Sequence, residues 1–310
     1  MAIVGRFGLA DPSIFVRLQR VLRRPQFWFG LAVLLPWAAW YVIFLYRPIL
    51  MGFWMSVLNY NLLAPAESVF VGFKNFVNVL TYDRFWIAFQ NTVVYSALQY
   101  VLTIPLALLI SWCIVSVRRG RPFYQFVVFL PVVVSLVAIS MLFRMLMDPQ
   151  FGTFNQVLRL LGLPTSQWVA SSDTALISIV VVDVWKGVGF PVILLSTAML
   201  NVPESLYDAA KVDGAQGWQL FRHVTLPLIT NTIAMVSVLV VMGGLQVYVT
   251  PVVLGPGPGT STLVVNQLII NEAFMAWRFG FATATALIMF VLILALTIIQ
   301  MRVLQSRWQY

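Results

Sequence analysis

Six apolar stretches dominate this chain, at 27–57, 92–116, 124–147, 174–197, 226–252 and 279–301. Each reaches or exceeds the roughly 20 residues with which a helix spans the hydrocarbon of a bilayer. Runs this long and continuous argue against a transmembrane barrel, whose strands are segments of about 10 residues that alternate between lipid and lumen. A helix satisfies its backbone polar groups internally, so the pattern predicts an all-α integral membrane protein built as a six-transmembrane-helix bundle. Composition agrees: 61% of the 310 residues are hydrophobic and 9% charged, against about 25% charged in a soluble domain. The bundle is expected over 27–301, between a basic segment at 1–26 and a tail at 302–310.

The distribution of charge orients the bundle. Of 19 Lys and Arg, twelve fall in 1–26, 117–123, 198–225 and 302–310, whereas the alternate loops 58–91, 148–173 and 253–278 hold only Lys74, Arg84, Arg159 and Arg278. The excess of positive residues on cytoplasmic loops then places both termini in the cytoplasm. The formal net charge of +9 follows from this topology, and no basic stripe suited to nucleic acid is present. In the N-terminal segment Ile14, Phe15, Leu18, Val21 and Leu22 alternate with Arg17, Arg20, Arg23 and Arg24, which fits either a helix in the headgroup plane or a solvated anchor. The first apolar run is too long for the core of a cleavable signal peptide, so it is expected to stay in place as the first span.

Several chemistries are excluded. The three lysines follow Phe73, Trp185 and Ala210, so no Gly-Lys pair exists from which a phosphate-cradling loop could be built, and the chain binds no ATP in that way. His223 is the single histidine and lies in a cytoplasmic loop, which leaves no histidine zinc site, no HExxH pattern and no Ser-His pair; no metal site is expected. The single cysteine, Cys113, rules out a disulfide within the chain and sits in an apolar run as a small core residue.

The most informative loop joins the fourth and fifth spans. Its sequence Asn201-Val-Pro-Glu-Ser-Leu-Tyr-Asp-Ala-Ala-Lys-Val-Asp-Gly214 predicts a short helix with Pro203 at its first position, Glu204 at the positive end of the dipole and Gly214 as the left-handed terminator. A second short helix is expected over 216–224, before Pro227 opens the fifth span. Asp208 beside the small Ala209 and Ala210 makes a face suited to close docking; packing of this helix on its own bundle is the alternative.

The run Asp208-Ala209-Ala210, three residues, Gly214, nine residues, Val224-Thr225-Leu226-Pro227 resembles the Glu-Ala-Ala…Gly…Ile-x-Leu-Pro loop of permease subunits in bacterial binding-protein-dependent ABC importers. Similarity to the carbohydrate-uptake branch, the maltose and glycerol-phosphate type, extends over most of the chain: Phe70-Val-Gly-Phe-Lys-Asn-Phe, Phe129-Leu-Pro, Val184-Trp-Lys, Val212-Asp-Gly-Ala and Gly255-Pro-Gly-Pro-Gly-Thr260. Asp208 stands where the family has Glu, one methylene shorter, Val224 stands for Ile, and Thr260-Ser-Thr262 departs from the family wording. The resemblance implies a non-catalytic sugar permease subunit of the bacterial inner membrane. It would pair with a second permease and receive solute from an extracytoplasmic binding protein. It would also dock its cytoplasmic coupling helix, between helices 4 and 5, on one of two separate ATP-binding subunits. ATP and Mg then belong to those partners and no cofactor to this chain.

For the solute path, sugar recognition needs amide or hydroxyl partners and an aromatic face, which Trp185, Gln246, Tyr248 and Asn266 supply; Tyr and Trp at such depths also serve as interfacial belt residues. Asp183 and Lys186, three residues apart in the fourth span, are expected on one helix face as an intramembrane charge pair, either lining the path or fixing helix rotation. Gly187 is expected to allow close helix approach there, and Gly243-Gly244 to act as a hinge in the fifth span. Arg47-Pro48 should interrupt the first span, and Asn155–Leu161 should form an amphipathic helix between Gly152 and Gly162. An ion-coupled secondary transporter, with Asp183 as its ion site, is the rival reading, and a structural membrane adaptor a third.

Overall fold

The computed structural model describes residues 25–117 and 119–304. The expected headgroup helix around Ile14 to Arg24 lies outside the described residues, as does the tail beyond 304. The chain divides into two compact units, Met1–Met55 and Ser56–Tyr310.

The described residues of the first unit belong to one apolar helix, α1 (Pro25–Ser56), which ends at the boundary of the second. The interruption expected at Arg47-Pro48 takes the form of a π-helical turn, Val42–Tyr46, ending just ahead of the proline. Proline has no N–H to give to the carbonyl four residues back and its ring crowds that carbonyl, so a locally widened turn relieves the conflict while the helix continues.

The second unit is a helical bundle around α3 (Asp83–Ser116). A two-residue antiparallel ribbon, β1 (Leu58–Asn59) with β2 (Val69–Phe70), and the short α2 (Lys74–Leu80) precede it. Asn75 Nδ2 donates to the carbonyls of Ser56 and Leu58, each at 2.8 Å, and closes the ribbon. After α3 come α4 (Arg121–Val133), α5 (Leu136–Leu146), α6 (Thr153–Leu160), α7 (Ser172–Gly187) and α8 (Gly189–Leu200). Then follow α9 (Glu204–Val212), α10 (Trp218–Leu228), α11 (Thr230–Leu245), α12 (Val249–Leu254), α13 (Val265–Ile270) and α14 (Phe279–Leu304).

Among the described residues, three helices, α1, α3 and α14, are singly long and apolar enough to cross a membrane; three further pairs pass the same test together, bent by 90° between α4 and α5, 46° between α7 and α8 and 74° between α10 and α11. The fifth apolar run therefore begins earlier than its hydropathy shows: Pro227 lies in the last turn of α10, and the chain turns at Ile229 before α11.

α3 packs on α7, α8 and α11, and it does so with a polar seam. Thr92, Tyr95, Ser96 and Thr103 are buried along one face, with Gln99 between them. The small Gly244 lets α11 approach: a Cβ there would stand 2.7 Å from Ser96 Oγ and 2.8 Å from Gln99 Oε1. Gly244 is thus a packing site within a continuous helix, whereas Gly243 has open space around it, and the chain breaks only after Leu245. Likewise Gly189, not Gly187, provides the close approach at the α7–α8 bend, where its Cα faces the backbone of α4 near Phe129. Cys113 is exposed on α3, contrary to the core position expected from its apolar neighbours.

Candidate functional site

At one end of the bundle, α9 and α10 form an elbow. α9 begins at Glu204, with Pro203 immediately before it as the cap, one residue earlier than expected. It ends in two crossed bonds, Gly214 N to Lys211 O at 3.0 Å and Ala215 N to Ala210 O at 3.0 Å. That paired closure needs a left-handed residue at Gly214, whose φ is +85°, and glycine adopts it without a Cβ clash. Asp208 accepts a hydrogen bond from Lys211 Nζ at 2.8 Å, one turn along the exposed face. This bond and the carboxylate charge hold the Lys211 ammonium pKa above its usual value.

Tyr207 points the other way and shares a 2.9 Å hydrogen bond with Thr225 Oγ1. Thr225 closes the π-helical turn Phe221–Thr225 of α10, which contains Val224 and again sits just ahead of a proline, in Leu226-Pro227. Trp218 and Phe221 pack on Trp112 of α3, with ring centroids 6.0 and 5.3 Å away. The elbow is therefore braced on the bundle by its inner face, while Asp208 and Ala209 stay exposed and Ala210 is half-buried. Val212 is 87% exposed, an apolar side chain with no partner in its own chain's core.

Within the bundle the expected charge pair is divided. Asp183 is buried and accepts hydrogen bonds from Tyr95 of α3 and, at 2.7 Å, from Thr250 Oγ1 of α12. Lys186 instead donates to the carbonyl of Val132 at 3.1 Å, and no ion pair joins the two among the described residues. The physical reason is supply: the last carbonyls of α4 lose their helical partners at the 90° bend, and an ammonium satisfies one of them where water is scarce. Two hydroxyl donors meanwhile solvate the buried carboxylate. Both groups thus tie α7 to neighbouring helices, Asp183 to α3 and α12 and Lys186 to α4.

Beside Asp183 lies a cavity of about 160 Å³, lined also by Gln99, Thr103, Gly187, Phe190 and Gly243. Gln99 Oε1 and Thr103 Oγ1 are buried there without a hydrogen-bond partner. These residues were not singled out in the sequence, although the spacing of Thr92, Tyr95, Ser96, Gln99 and Thr103 is that of one helix face and marks a polar seam in an apolar run.

The four path candidates separate. Asn266 Nδ2 donates to the Gln246 carbonyl at 2.8 Å, which joins α13 to the end of α11, and Tyr248 is half-buried at the start of α12. Trp185 stands apart from them. It packs on Phe143 of α5 with centroids 5.2 Å apart and lines a groove of about 540 Å³ whose other walls are aliphatic side chains and Pro131.

The sequence from 103 to 310 matches the family model for the binding-protein-dependent transport system inner membrane component. A probable ABC transporter permease protein of Bacillus subtilis, YurN, is 32% identical over 84% of this chain and 91% of its own length. The trehalose/maltose transport system permease protein MalF of Thermococcus litoralis is 29% identical over 88% of this chain and 92% of its own. Among solved structures, a chain of a bacterial ABC transporter that imports the acidic polysaccharide alginate superposes with a TM-score of 0.82 at 26% identity, covering 94% of this chain and all of that one. A second structure, of the alginate transporter in complex with a pentasaccharide-bound periplasmic protein, gives 0.78 at 28% identity over 90% and 96%. This chain belongs to the family of binding-protein-dependent transport system inner membrane components, the membrane permeases of ABC importers. It is a multi-pass inner-membrane protein, and an ion-coupled transporter finds no support among its relatives.

Proposed function

We propose that the chain is one permease of an importer for a saccharide, spanning the membrane six times with both termini in the cytoplasm, and that its α9–α10 elbow is the handle through which a separate ATPase moves it. The observation that carries this reading is the elbow's two-sidedness: braced inward through Tyr207–Thr225 and the Trp112 stack, exposed outward at Asp208, Ala209 and Val212. An apolar side chain and a small residue flanking one carboxylate form a shallow, keyed surface for a partner cleft. Relatives named for trehalose/maltose and alginate transport support a saccharide as solute. The second permease, the ATPase pair and the solute-binding protein are the partners this reading requires. Inverting a 1:99 preference between two orientations takes roughly 5.5 kcal/mol, which closure of the ATPase pair on two such handles supplies.

Solute passage is assigned to the polar interior. The cavity beside Asp183, lined by Gln99 and Thr103, and the Gln246–Asn266 junction near Tyr248 offer groups for sugar hydroxyls. Trp185, set among aliphatic side chains, supports packing better than ring stacking.

Two measurements test the reading. Proteoliposomes holding the complete transporter should take up maltooligosaccharide or uronate oligosaccharide only with ATP and binding protein; uptake driven by a proton gradient alone refutes it. Val212→Asp changes an exposed residue and should leave the fold within about 0.5 kcal/mol, yet it should abolish co-purification with the ATPase. An intact complex would show that the elbow is not the handle.

A further inference from the structure

α6 leaves part of its apolar surface uncovered. Its polar Asn155 is buried: Nδ2 donates to the carbonyls of Pro149 and Ser166, each at 2.9 Å, while Oδ1 accepts from Ser166 N at 3.1 Å and Trp168 Nε1 at 2.9 Å. Of its apolar side chains Phe154 and Leu158 are half-buried, and the rest point outward. Val157, Leu160 and Leu161, at the spacing of one helix face, are 46%, 86% and 67% exposed, and Phe151 and Leu163 at its flanks are also exposed. Four hydrogen bonds to one asparagine fix the rotation of the helix with these side chains outward.

Its height in the bundle says what meets that face. Phe154 stacks on Phe143, in the last turn of α5, with centroids 5.9 Å apart, and on Trp168, just ahead of α7, at 5.8 Å. α6 therefore lies level with the ends of two membrane-crossing segments, and its leucines continue the exposed apolar surface of α5, where Met141, Leu142 and Met145 face outward. Arg159 Nη2 reaches back to the carbonyl of Gln150 at 3.3 Å, so the one charge on the helix turns toward its own loop. We infer that α6 lies in the headgroup–acyl boundary of the leaflet at that end, with Val157, Leu160 and Leu161 embedded in lipid as an interfacial anchor between the third and fourth spans.

Site-directed spin labelling of the assembled transporter in nanodiscs of phosphatidylethanolamine and phosphatidylglycerol tests this. In a Cys113→Ser background, nitroxides at Leu160→Cys and Leu161→Cys should collide severalfold more often with oxygen than with a water-soluble nickel chelate, and the ratio should reverse at Gln167→Cys, an exposed loop position. A nickel preference at both leucine positions would place the face in water and overturn the inference. Low accessibility to both reagents would show that a protein partner, the second permease or the binding protein, covers the helix, and overturns it equally. Should the cysteine variants fail to assemble, quenching by bromine at the outer end of the acyl chains, compared for Leu160→Trp and Gln167→Trp, gives the same discrimination, and equal quenching at both would refute lipid contact at α6.

Discussion

At the scale of single residues, Asp183 and Lys186 show how lipid-solvated proteins handle charge. Three positions apart on one helix, they have the spacing of an ion pair, yet each bonds to a different neighbour. Pairing them would leave the Tyr95 and Thr250 hydroxyls and the Val132 carbonyl unpartnered in an apolar interior, so three interhelical bonds outweigh one contact within a helix. Tyr95→Phe keeps the ring and removes one donor to the carboxylate. It should lower the stability of the purified protein by about 1.5–3 kcal/mol, seen as a lower unfolding temperature in detergent. Asp183→Asn accepts from one hydroxyl through Oδ1 and donates to the other through Nδ2, so it keeps both contacts without the charge and should be milder; equal damage from both would mean that the charge, not the bonds, matters. Glu272 follows the same logic near the start of α14. Its buried carboxylate meets Arg278 Nη1 at 3.1 Å and accepts from Tyr82 at 3.3 Å, with the guanidinium over the Phe281 ring at 4.3 Å.

At the scale of elements, the elbow was largely legible. Pro203, Glu204 and Gly214 mark the helix ends because their reasons are local: a fixed φ, a charge on a dipole, a missing Cβ. The structure moved Pro203 by one position, left Glu204 and Gly214 in place, and set the second helix at Trp218–Leu228, with Pro227 inside it, in place of 216–224. Legibility failed for the π turns ahead of Pro48 and Pro227, which answer a steric conflict one turn away and leave no mark in hydropathy. Gly214→Ala places a Cβ in the left-handed region at a cost of roughly 1–2 kcal/mol. Amide exchange at Gly214 and Ala215 should then speed up by about 5- to 30-fold, with the transmembrane helices unchanged. If exchange there is unaltered, the elbow is not rigid and cannot act as a lever.

For the molecule as a whole, the charge asymmetry of the loops carries a prediction about sidedness. In a Cys113→Ser background, Gln216→Cys should react with an impermeant maleimide only from the cytoplasmic side, and Leu163→Cys only from outside. In the proposed six-span arrangement α7 with α8 is one span and the two positions are opposite, so labelling of both from one side would refute that reading.

Six apolar runs and a glycine-ended loop helix sufficed for the membrane class and the elbow, because hydropathy and capping act over a few neighbouring residues; the family was legible through the resemblance carried by Asp208-Ala209-Ala210, Gly214 and Leu226-Pro227. Which face of each helix turns inward had to wait for the packing. In a soluble protein the apolar face is the inner one, but here lipid solvates the apolar surface, so Cys113 proved exposed while Tyr95 and Thr103 are buried. Partnerships such as Tyr95 with Asp183, 88 positions apart, depend on which helices become neighbours, and only tertiary structure decides that, since hydrogen bonds in an apolar interior form wherever a donor is brought within reach.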